Sequence, residues 1–333
     1  MKNKLIVSVW PHLHNKESVS KIMWLVAAGL LPAGIAGVFI FGLAALWVII
    51  LSVVSALAAE ALLQALTGRK VTILDGSAFI TGLLLAYNLP PQVPWWLPVI
   101  GAAFSIAIAK QAFGGLGQNI FNPALAGRVF LMASWPKYMT AFTPAPIAIK
   151  QSLNMQLVRG FIQPLNYDAV TSATPLAALK EGRLLAAKIS YPDLFIGNRA
   201  GCIGEVCILA LLLGAVFLLL KGYISWHIPV TYVGTVAIFT FIFGQSGFFR
   251  GDWLLHILSG GLILGAFFMA TDYVTSPLTA RGQLVFGLGC GLITAVIRLW
   301  GGYPEGVSYA ILMMNAATPL IDRYTKNRIY GTT

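Results

Sequence analysis

The sequence predicts an all-α integral membrane protein with about ten transmembrane helices. Hydrophobic residues make up 58% of the chain and charged residues only 10%, whereas about a quarter of the residues in soluble domains are charged. The mean hydropathy is +0.80. Lys and Arg number 22 against 11 Asp and Glu, but they stand singly between apolar runs rather than in a stripe. This pattern indicates membrane topology and argues against a nucleic-acid partner.

The individual spans follow from apolar stretches of about 20 residues, with shorter ones allowed for tilted or broken helices. Five candidate spans precede a long polar loop and five follow it. They lie near 22–39, 42–66, 76–90, 95–112 and 119–133, and then near 202–220, 226–246, 253–272, 283–300 and 306–321. The membrane lipid is therefore an expected partner along most of the chain.

Charges in the short connections predict the orientation. Lys21 precedes the first span, Arg69 and Lys70 follow the second, and Lys110 and Arg128 flank the connection between the fourth and fifth. All of these fall on one side, which the positive-inside rule makes cytoplasmic. The expected organisation is a cytoplasmic N-terminal segment 1–21, a first five-helix repeat 22–133, an extracytoplasmic loop 134–200, a second repeat 201–321 and a cytoplasmic tail 322–333. The charged head shows no signal-peptide pattern, so we expect it to be retained.

The two halves resemble each other. GSAFITGLLLAYNLPP, a span and FGGLGQNIFNPALAGRVF can be laid beside GGLILGAFFMATDYVTSPLT, a span and WGGYPEGVSYAILMMNAATPL. With five spans per half, the second copy must enter the membrane inverted. Inverted repeats with interrupted helices are typical of transporters and channels, whose path lies at the repeat interface. Chance similarity of two glycine-rich apolar segments is the alternative.

Few polar residues stand within the apolar segments, and a polar group at membrane depth usually faces a cavity or a partner. Asn119, Asn122 and Asp272 are the candidates for an ion path. Glu60 and others near helix ends are interpreted as interfacial carboxylates. In FGGLGQNIFNPALAGR, Pro123 allows Asn122 to end a turn and begin a helix, so this segment is expected to be a re-entrant or broken-helix element.

No complete metal site and no catalytic residue are predicted. Cys202, Cys207 and Cys290 form neither a CxxC motif nor a Cys/His cluster, and are interpreted as small residues that pack helices. His12 and His14 are interpreted as interfacial or subunit contacts, because a metal site needs several convergent donors.

The polar loop contains TSATPLAALKEG, which is typical of a helix N-terminus. Thr174 would be the N-cap, Pro175 the first helical residue and LAALKEGRLLAAK the helix. On the residues alone this is the simplest interpretation, and hydroxyl groups by themselves do not indicate a cofactor.

Four ordered motifs are similar to those of the NqrB/RnfD family of membrane flavoprotein subunits. They are PHLHNKESVSKIMW, FGGLGQNIFNPALAGRVFL, DAVTSATPL and TDYVTSPLTARGQ. The short head is closer to the RnfD branch. The resemblance implies a fold similar to the urea transporters, with two inverted five-helix repeats, in agreement with the span count.

For the loop, the resemblance implies FMN attached covalently through its phosphate to the Thr174 hydroxyl. Asp168 would be the acid of the family motif, and Thr171, Ser172 and Ala173 the lead-in read by a flavin transferase. Many members have glycine where this chain has Ser172. The related branch carries a second flavin, riboflavin, among the helices, and the resemblance extends that expectation to this chain.

The function implied is that of a subunit of an ion-translocating oxidoreductase, without complete activity alone. It would relay electrons through the FMN and help to couple ferredoxin:NAD electron transfer to Na⁺ or H⁺ movement. A second flavoprotein and iron–sulfur subunits are the implied partners, in the inner or plasma membrane. The alternatives are the B subunit of a sodium-translocating NADH:quinone reductase, a non-redox urea-type channel and a purely structural anchor.

Overall fold

A computed structural model describes residues 17–142, 174–180, 191–244, 247–303 and 305–326 of the chain. All regular structure in these residues is helical. This confirms the prediction of an all-α protein with several apolar helices.

Six helices lie in residues 17–142, before the long loop. Three connections between them contain the residues that matter most for the site: 67–76, 88–95 and 112–122. The helices are α1 (Val19–Phe41), α2 (Leu43–Leu66), α3 (Ser77–Tyr87), α4 (Trp96–Ile106, extended by a π-helical turn Ala107–Gln111), α5 (Pro123–Ser134) and the short α6 (Pro136–Met139). A 3₁₀ turn, Ile73–Asp75, precedes α3.

Eight further helices are described in the rest of the chain. They are α7 (Pro175–Lys180), α8 (Tyr191–Ile196), α9 (Ile208–Leu220), α10 (His227–Phe243), α11 (Trp253–Leu258), α12 (Leu262–Leu264, extended by a π-helical turn Gly265–Met269), α13 (Ala280–Trp300) and α14 (Val307–Tyr324). Each of the ten predicted spans overlaps at least one of the described helices.

By length and composition, three described helices can cross a membrane: α1, α2 and α13. Five others, α3, α4 with its π-helical turn, α5, α9 and α10, are apolar and have 10–17 residues. Two predicted spans begin later as helices than expected. Asn122 caps α5, with Pro123 as its first residue, and residues 201–207 form a non-helical turn before α9.

That turn is held by backbone hydrogen bonds rather than by a helix of its own. The N–H groups of Ile203 and Gly204 donate to the carbonyls of Leu89 and Tyr87, at 3.1 and 2.9 Å. Buried backbone groups need such partners, because an unpaired one would cost free energy in an apolar surrounding.

The two halves of the chain are packed together through small residues. A Cβ on Gly214 of α9 would stand 1.8 Å from the Gly29 carbonyl oxygen of α1. The two backbones therefore approach more closely than a side chain at position 214 would permit. Small residues allow this close packing between membrane helices.

Large apolar side chains cover the outer faces of the helices. Phe39 is 77% exposed, Leu213 61% and Leu220 83%. Extended apolar surface of this kind marks contact with lipid or with another protein. It agrees with an integral membrane protein.

Candidate functional site

Two polar centres interrupt the apolar interior, one toward each end of α3. The first, here called the polar cavity, lies beside the starts of α1 and α3 and the end of α4. The second, here called the arginine cluster, consists of Arg128, Arg199, Arg298, Glu205 and Glu305. It lies beside the ends of α3, α11 and α13.

The polar cavity brings together all three residues that were predicted for an ion path. Asn119, Asn122 and Asp272 line it. Its other polar lining residues include Ser77, Thr81, Lys110, Thr271 and Tyr273. Nothing in the sequence indicated directly that Asp272, about 150 residues after the two asparagines, would share a wall with them.

Asn122 joins the two halves of the chain. Its Oδ1 accepts hydrogen bonds from the N–H groups of Ala124 and Leu125, at 3.1 and 3.4 Å, and so caps α5. Its Nδ2 donates to the Met269 carbonyl oxygen at 3.2 Å, at the end of the π-helical turn of the second half. Asn122 is 3% exposed, so its side chain acts as a buried link between two helix ends.

Asn119 and Asp272 lie in connections rather than in helices. Asn119 Nδ2 donates to the Phe121 carbonyl at 3.1 Å, within the turn before α5. Asp272 Oδ2 accepts from the Thr275 hydroxyl at 3.2 Å. Both side chains thus present oxygen or amide groups at the cavity wall.

Sequence reasoning missed Lys110 and misplaced Glu60. Lys110 Nζ lies 2.8 and 2.7 Å from the two Glu60 carboxylate oxygens and 2.6 Å from Ser77 Oγ. The side chains are 2% and 1% exposed, so the interpretation of Glu60 as interfacial was wrong. Its carboxylate also accepts from Gln64 and Gln111, each at 3.1 Å. A carboxylate is tolerated there because its charge is paired and its oxygens are hydrogen-bonded.

Arg128 was also misplaced, as a residue flanking a connection. It is 4% exposed within α5. Its guanidinium forms an ion pair with Glu305 and donates to Asn88 Oδ1 at 2.6 Å. Lys110 and Arg128 each stand inside an apolar stretch of the sequence. Because a lysine or arginine in such a place requires a partner, this was the available signal for a buried ion pair.

The arginine cluster holds open the break between α11 and α12. Arg199 donates to the carbonyl of Leu258 and, at 2.6 Å, to that of Glu205. Arg298 donates to the carbonyls of His256 and Ser259, at 2.5 and 3.2 Å. These contacts place cations at the carbonyl end of α11, where the helix dipole favours them.

On the other side of the break, Glu305 accepts a hydrogen bond from the Gly261 N–H. This places a carboxylate at the N-terminal side of α12, the complementary arrangement. The broken helix is thus satisfied by side chains of the chain itself.

Asn88 and Met269 stand between the two polar centres. Asn88 accepts from Arg128 of the cluster, and its Nδ2 lies 3.6 Å from the Met269 sulfur. The Met269 carbonyl in turn accepts from Asn122, which lines the cavity. A continuous line of contacts therefore runs from the arginine cluster to the polar cavity.

Thr174 lies at the end of the molecule that holds the arginine cluster. Its Oγ1 accepts from the Ala177 N–H at 3.2 Å, and its carbonyl accepts from the Ala178 N–H at 2.9 Å. The predicted N-cap with Pro175 as the first helical residue is therefore found. The helix is described as far as Lys180. Asp168, Thr171, Ser172 and Ala173 lie outside the described residues.

Helix α7 is fixed to the membrane helices by two contacts. Leu176 packs in a small buried cluster with Leu194 and Leu255. Lys180 Nζ donates to carbonyl oxygens at the end of α13 and in the following connection, those of Ile297, Gly301 and Tyr303. Lys180 thus serves as a cap for α13 and holds the Thr174 segment in place.

Similarity to known proteins extends over nearly the whole chain. The family model described as NQR2, RnfD, RnfE matches residues 6–331. The D subunit of the Na⁺-translocating ferredoxin:NAD⁺ oxidoreductase complex of Acetobacterium woodii is 50% identical over 331 residues, 99% of this chain and 96% of that protein. The D subunit of the proton-translocating ferredoxin:NAD⁺ oxidoreductase complex of Clostridium ljungdahlii is 48% identical over 339 residues, 99% and 97%.

A third relative comes from Citrobacter koseri. The D subunit of its ion-translocating oxidoreductase complex is 41% identical over 344 residues, 96% of this chain and 97% of that protein. With matches of this length and identity, the resemblance predicted from the four motifs is confirmed, and the chain belongs to the NQR2, RnfD, RnfE family.

Proposed function

We propose that this chain is the D subunit of an Rnf-type membrane complex, a translocase that couples electron transfer between ferredoxin and NAD to ion movement. The observation that carries the proposal is the identity of 50% and 48% with two subunits of that name over nearly their full length. These two relatives are named for different ions, Na⁺ and H⁺, so similarity alone does not choose between them. The partners would be the other subunits of the complex, including a second flavoprotein and iron–sulfur subunits.

The proposed topology is ten transmembrane helices in two inverted five-helix repeats, with both termini in the cytoplasm. The apolar helices α1–α5 precede the long loop and α9–α14 follow it, with α11 and α12 as the two parts of one broken span. This division supports the arrangement. The polar cavity would then face the cytoplasm. The arginine cluster and Thr174 would lie toward the opposite side, outside the cytoplasm.

Electron transfer through this chain would use FMN attached to Thr174, which supplies one-electron chemistry when bound. The chain's own contribution is position. Thr174 is partly exposed, so its hydroxyl can be reached, while Pro175 and Leu176 beside it are buried and fix its place. Asp168 and Thr171 to Ala173 would be read by the flavin transferase. Riboflavin among the helices stays a prediction from the resemblance.

Ion movement would begin at the polar cavity. Asn119, Asn122 and Asp272 offer oxygen atoms there, the atom type that Na⁺ prefers at interrupted helices. Lys110 also faces the cavity, but the Glu60 carboxylate neutralises its charge, so it would not repel a cation strongly. In the described conformation, the contacts of Met269 with Asn88 and Asn122 would close the inner end.

The first test is in-gel flavin fluorescence after denaturing electrophoresis of the complex produced together with a flavin transferase. The wild-type subunit is compared with Thr174→Ala and with the matched control Thr279→Ala, which removes another N-cap hydroxyl at the start of α13. Only a covalent flavin survives the denaturant, so we expect fluorescence to disappear in Thr174→Ala alone. A dark wild-type band beside a fluorescent control flavoprotein would refute the attachment, as would a fluorescent Thr174→Ala band.

A further inference from the structure

An exposed group of aromatic side chains, here called the aromatic cluster, lies where α10 and α13 end. It consists of Phe243, Phe248, Phe249 and Trp300. The Phe243 ring centroid lies 5.4 Å from that of Phe248 and 5.8 Å from that of Trp300, both in edge-to-face contacts. Phe249 lies 5.3 Å from Phe248. Phe248 is 68% exposed, Phe249 57% and Trp300 62%. Large rings that contact one another and remain this exposed mark an interaction surface.

Residues 247–251 fold back along the end of α10. The Phe249 N–H donates to the Ile242 carbonyl oxygen at 3.1 Å. The Gly251 N–H donates to the Phe241 carbonyl oxygen, also at 3.1 Å. Carbonyls in the last turn of a helix have no partner within the helix, so these bonds satisfy them. A segment that pairs backbone groups in this way can lie in an apolar surrounding, where unpaired groups would be costly.

Phe249 has a backbone conformation that bulky residues rarely adopt. Its φ is +61°, the one positive value at a non-glycine residue in the described part of the chain. Such a conformation is unfavourable for a residue with a Cβ, and it persists where other contacts or a function retain it. The Phe249 ring lies beside that of Phe241, with centroids 6.1 Å apart, yet both side chains stay exposed. A contact outside this chain explains the conformation better than packing within it.

The aromatic cluster continues a row of apolar side chains along α13. Every fourth residue on one face of this helix is large, apolar and exposed: Leu284, Leu288, Leu292, Val296 and Trp300. At 1.5 Å per residue the row is about 24 Å long, against about 30 Å for the hydrocarbon core of a bilayer. The small residues of α13, among them Gly287 and Gly291, are buried. Contacts between membrane helices select small residues, so a row of large ones favours lipid as its partner.

Arg250 adds a cation to the edge of this surface. It follows Phe249 directly and is exposed, and none of the three ion pairs among the described residues includes it. The nearby Asp252 is engaged elsewhere, with the Tyr191 hydroxyl at 2.7 Å and the Leu255 N–H at 3.0 Å. A guanidinium group matches phosphate in charge and geometry. Tryptophan is enriched where acyl chains meet headgroups, and basic side chains reach toward the same level.

We propose that the aromatic cluster and Arg250 form a phospholipid-binding site at the membrane–water interface. The rings of Phe248, Phe249 and Trp300 contact the upper part of the acyl chains, and Arg250 binds a headgroup phosphate. The occupant is bilayer lipid, not another subunit. Binding is non-covalent and does not depend on a flavin at Thr174. Only the assignment of the site to the extracytoplasmic leaflet rests on the proposed topology.

The test is photo-crosslinking of the purified complex in vesicles of equal parts phosphatidylcholine and phosphatidylglycerol. The photoreactive residue p-benzoylphenylalanine replaces Phe248 or, as a control in the middle of the apolar row, Leu288. After irradiation, the mass of the subunit distinguishes a lipid adduct from a link to another polypeptide. We expect lipid adducts at both positions. At position 248 phosphatidylglycerol should be enriched about two- to fivefold over phosphatidylcholine, because a basic residue near the membrane surface attracts anionic lipid.

A second pair of variants tests the contribution of Arg250. Arg250→Gln, combined with the photoreactive residue at position 248, should keep the lipid adduct but lose the enrichment in phosphatidylglycerol. The matched control is Arg281→Gln, which removes an exposed arginine near the opposite end of α13 and should leave the enrichment unchanged.

Each outcome decides one part of the proposal. A link from position 248 to another subunit, or the absence of a lipid adduct there, overturns the site. Lipid adducts without enrichment, or an enrichment that survives Arg250→Gln, overturn the role of Arg250. If the Phe248 variant does not assemble, p-benzoylphenylalanine in place of Trp300 reports on the same cluster. If in-gel fluorescence shows no covalent flavin, the proposed function fails by that separate measurement, and crosslinking still decides the lipid site.

Discussion

Removal of Lys110 is expected to lower the free energy of unfolding, because it breaks the buried ion pair beside the polar cavity. In Lys110→Met the apolar stem is largely kept, but the Glu60 carboxylate, 1% exposed, loses two contacts of 2.8 and 2.7 Å to the ammonium group. Breaking a buried pair from one side typically costs about 3–5 kcal/mol. Gln64 and Gln111 still donate to Glu60, so we expect the lower end, about 3 kcal/mol.

The double variant Glu60→Gln/Lys110→Met separates the pair from its surroundings. Once both charges are gone, no buried charge is left unpaired, and replacing a whole buried pair is often close to neutral. The double variant should therefore cost less than Lys110→Met alone. The coupling energy between the two positions should be about 2 kcal/mol, within the range found for contacting residues.

The assay is unfolding of the purified subunit in mixed micelles as the fraction of SDS rises, followed by tryptophan fluorescence. Lys21→Met is the matched control, because Lys21 forms an exposed pair with Glu17 at a helix start. The control should leave the unfolding midpoint unchanged. A cost below about 1 kcal/mol for Lys110→Met, or a double variant whose cost equals the sum of the two single costs, would refute the reasoning.

Two further predictions concern other parts of the fold. Lys180→Met should release α7 from α13. Hydrogen bonds from a charged group contribute about 1.5–3 kcal/mol, and the partial exposure of Lys180 favours the lower value. We therefore expect the amides of Ala177 and Ala178 to exchange hydrogen about tenfold faster. Lys137→Met is the control, and unchanged exchange would show that the carbonyl contacts of Lys180 do not hold the segment. Gly214→Ala should destabilise by about 1–3 kcal/mol through overpacking against Gly29, whereas Gly234→Ala, where nothing lies within 4 Å of the added carbon, should not. Equal thermal midpoints for the two glycine variants would disprove the close crossing of α1 and α9.

Local chemistry was the part that the sequence could predict. Asn122 before Pro123 and Thr174 before Pro175 each identified a helix start, because an N-cap followed by proline needs only neighbouring residues. Apolar stretches likewise located the helices. The non-helical turn at 201–207 was not foreseen, because its backbone is held by residues more than a hundred positions earlier in the chain.

The polar centres required knowledge of long-range pairing. Glu60 stands near a helix end and was reasonably expected at an interface, but Lys110, 50 residues later, turns inward and pairs with it. Arg128 was likewise assigned to the connection between two spans, because its partner Glu305 is distant in the sequence. Asn119, Asn122 and Asp272 were chosen for their residue type alone, and the shared cavity came from the packing of the two halves.

The pairing of Arg128 with Glu305 also has a consequence for how the protein is made. The two residues are 177 positions apart. At about 5–20 residues synthesised per second, Glu305 reaches the membrane roughly 9 to 35 s after Arg128. During that interval α5 carries an arginine without its counter-ion, and an arginine at mid-bilayer costs about 2.5–3.5 kcal/mol on the insertion scale. If α5 enters the bilayer as proposed, we expect its insertion to be less favourable, by up to about that amount, until the last helix supplies Glu305.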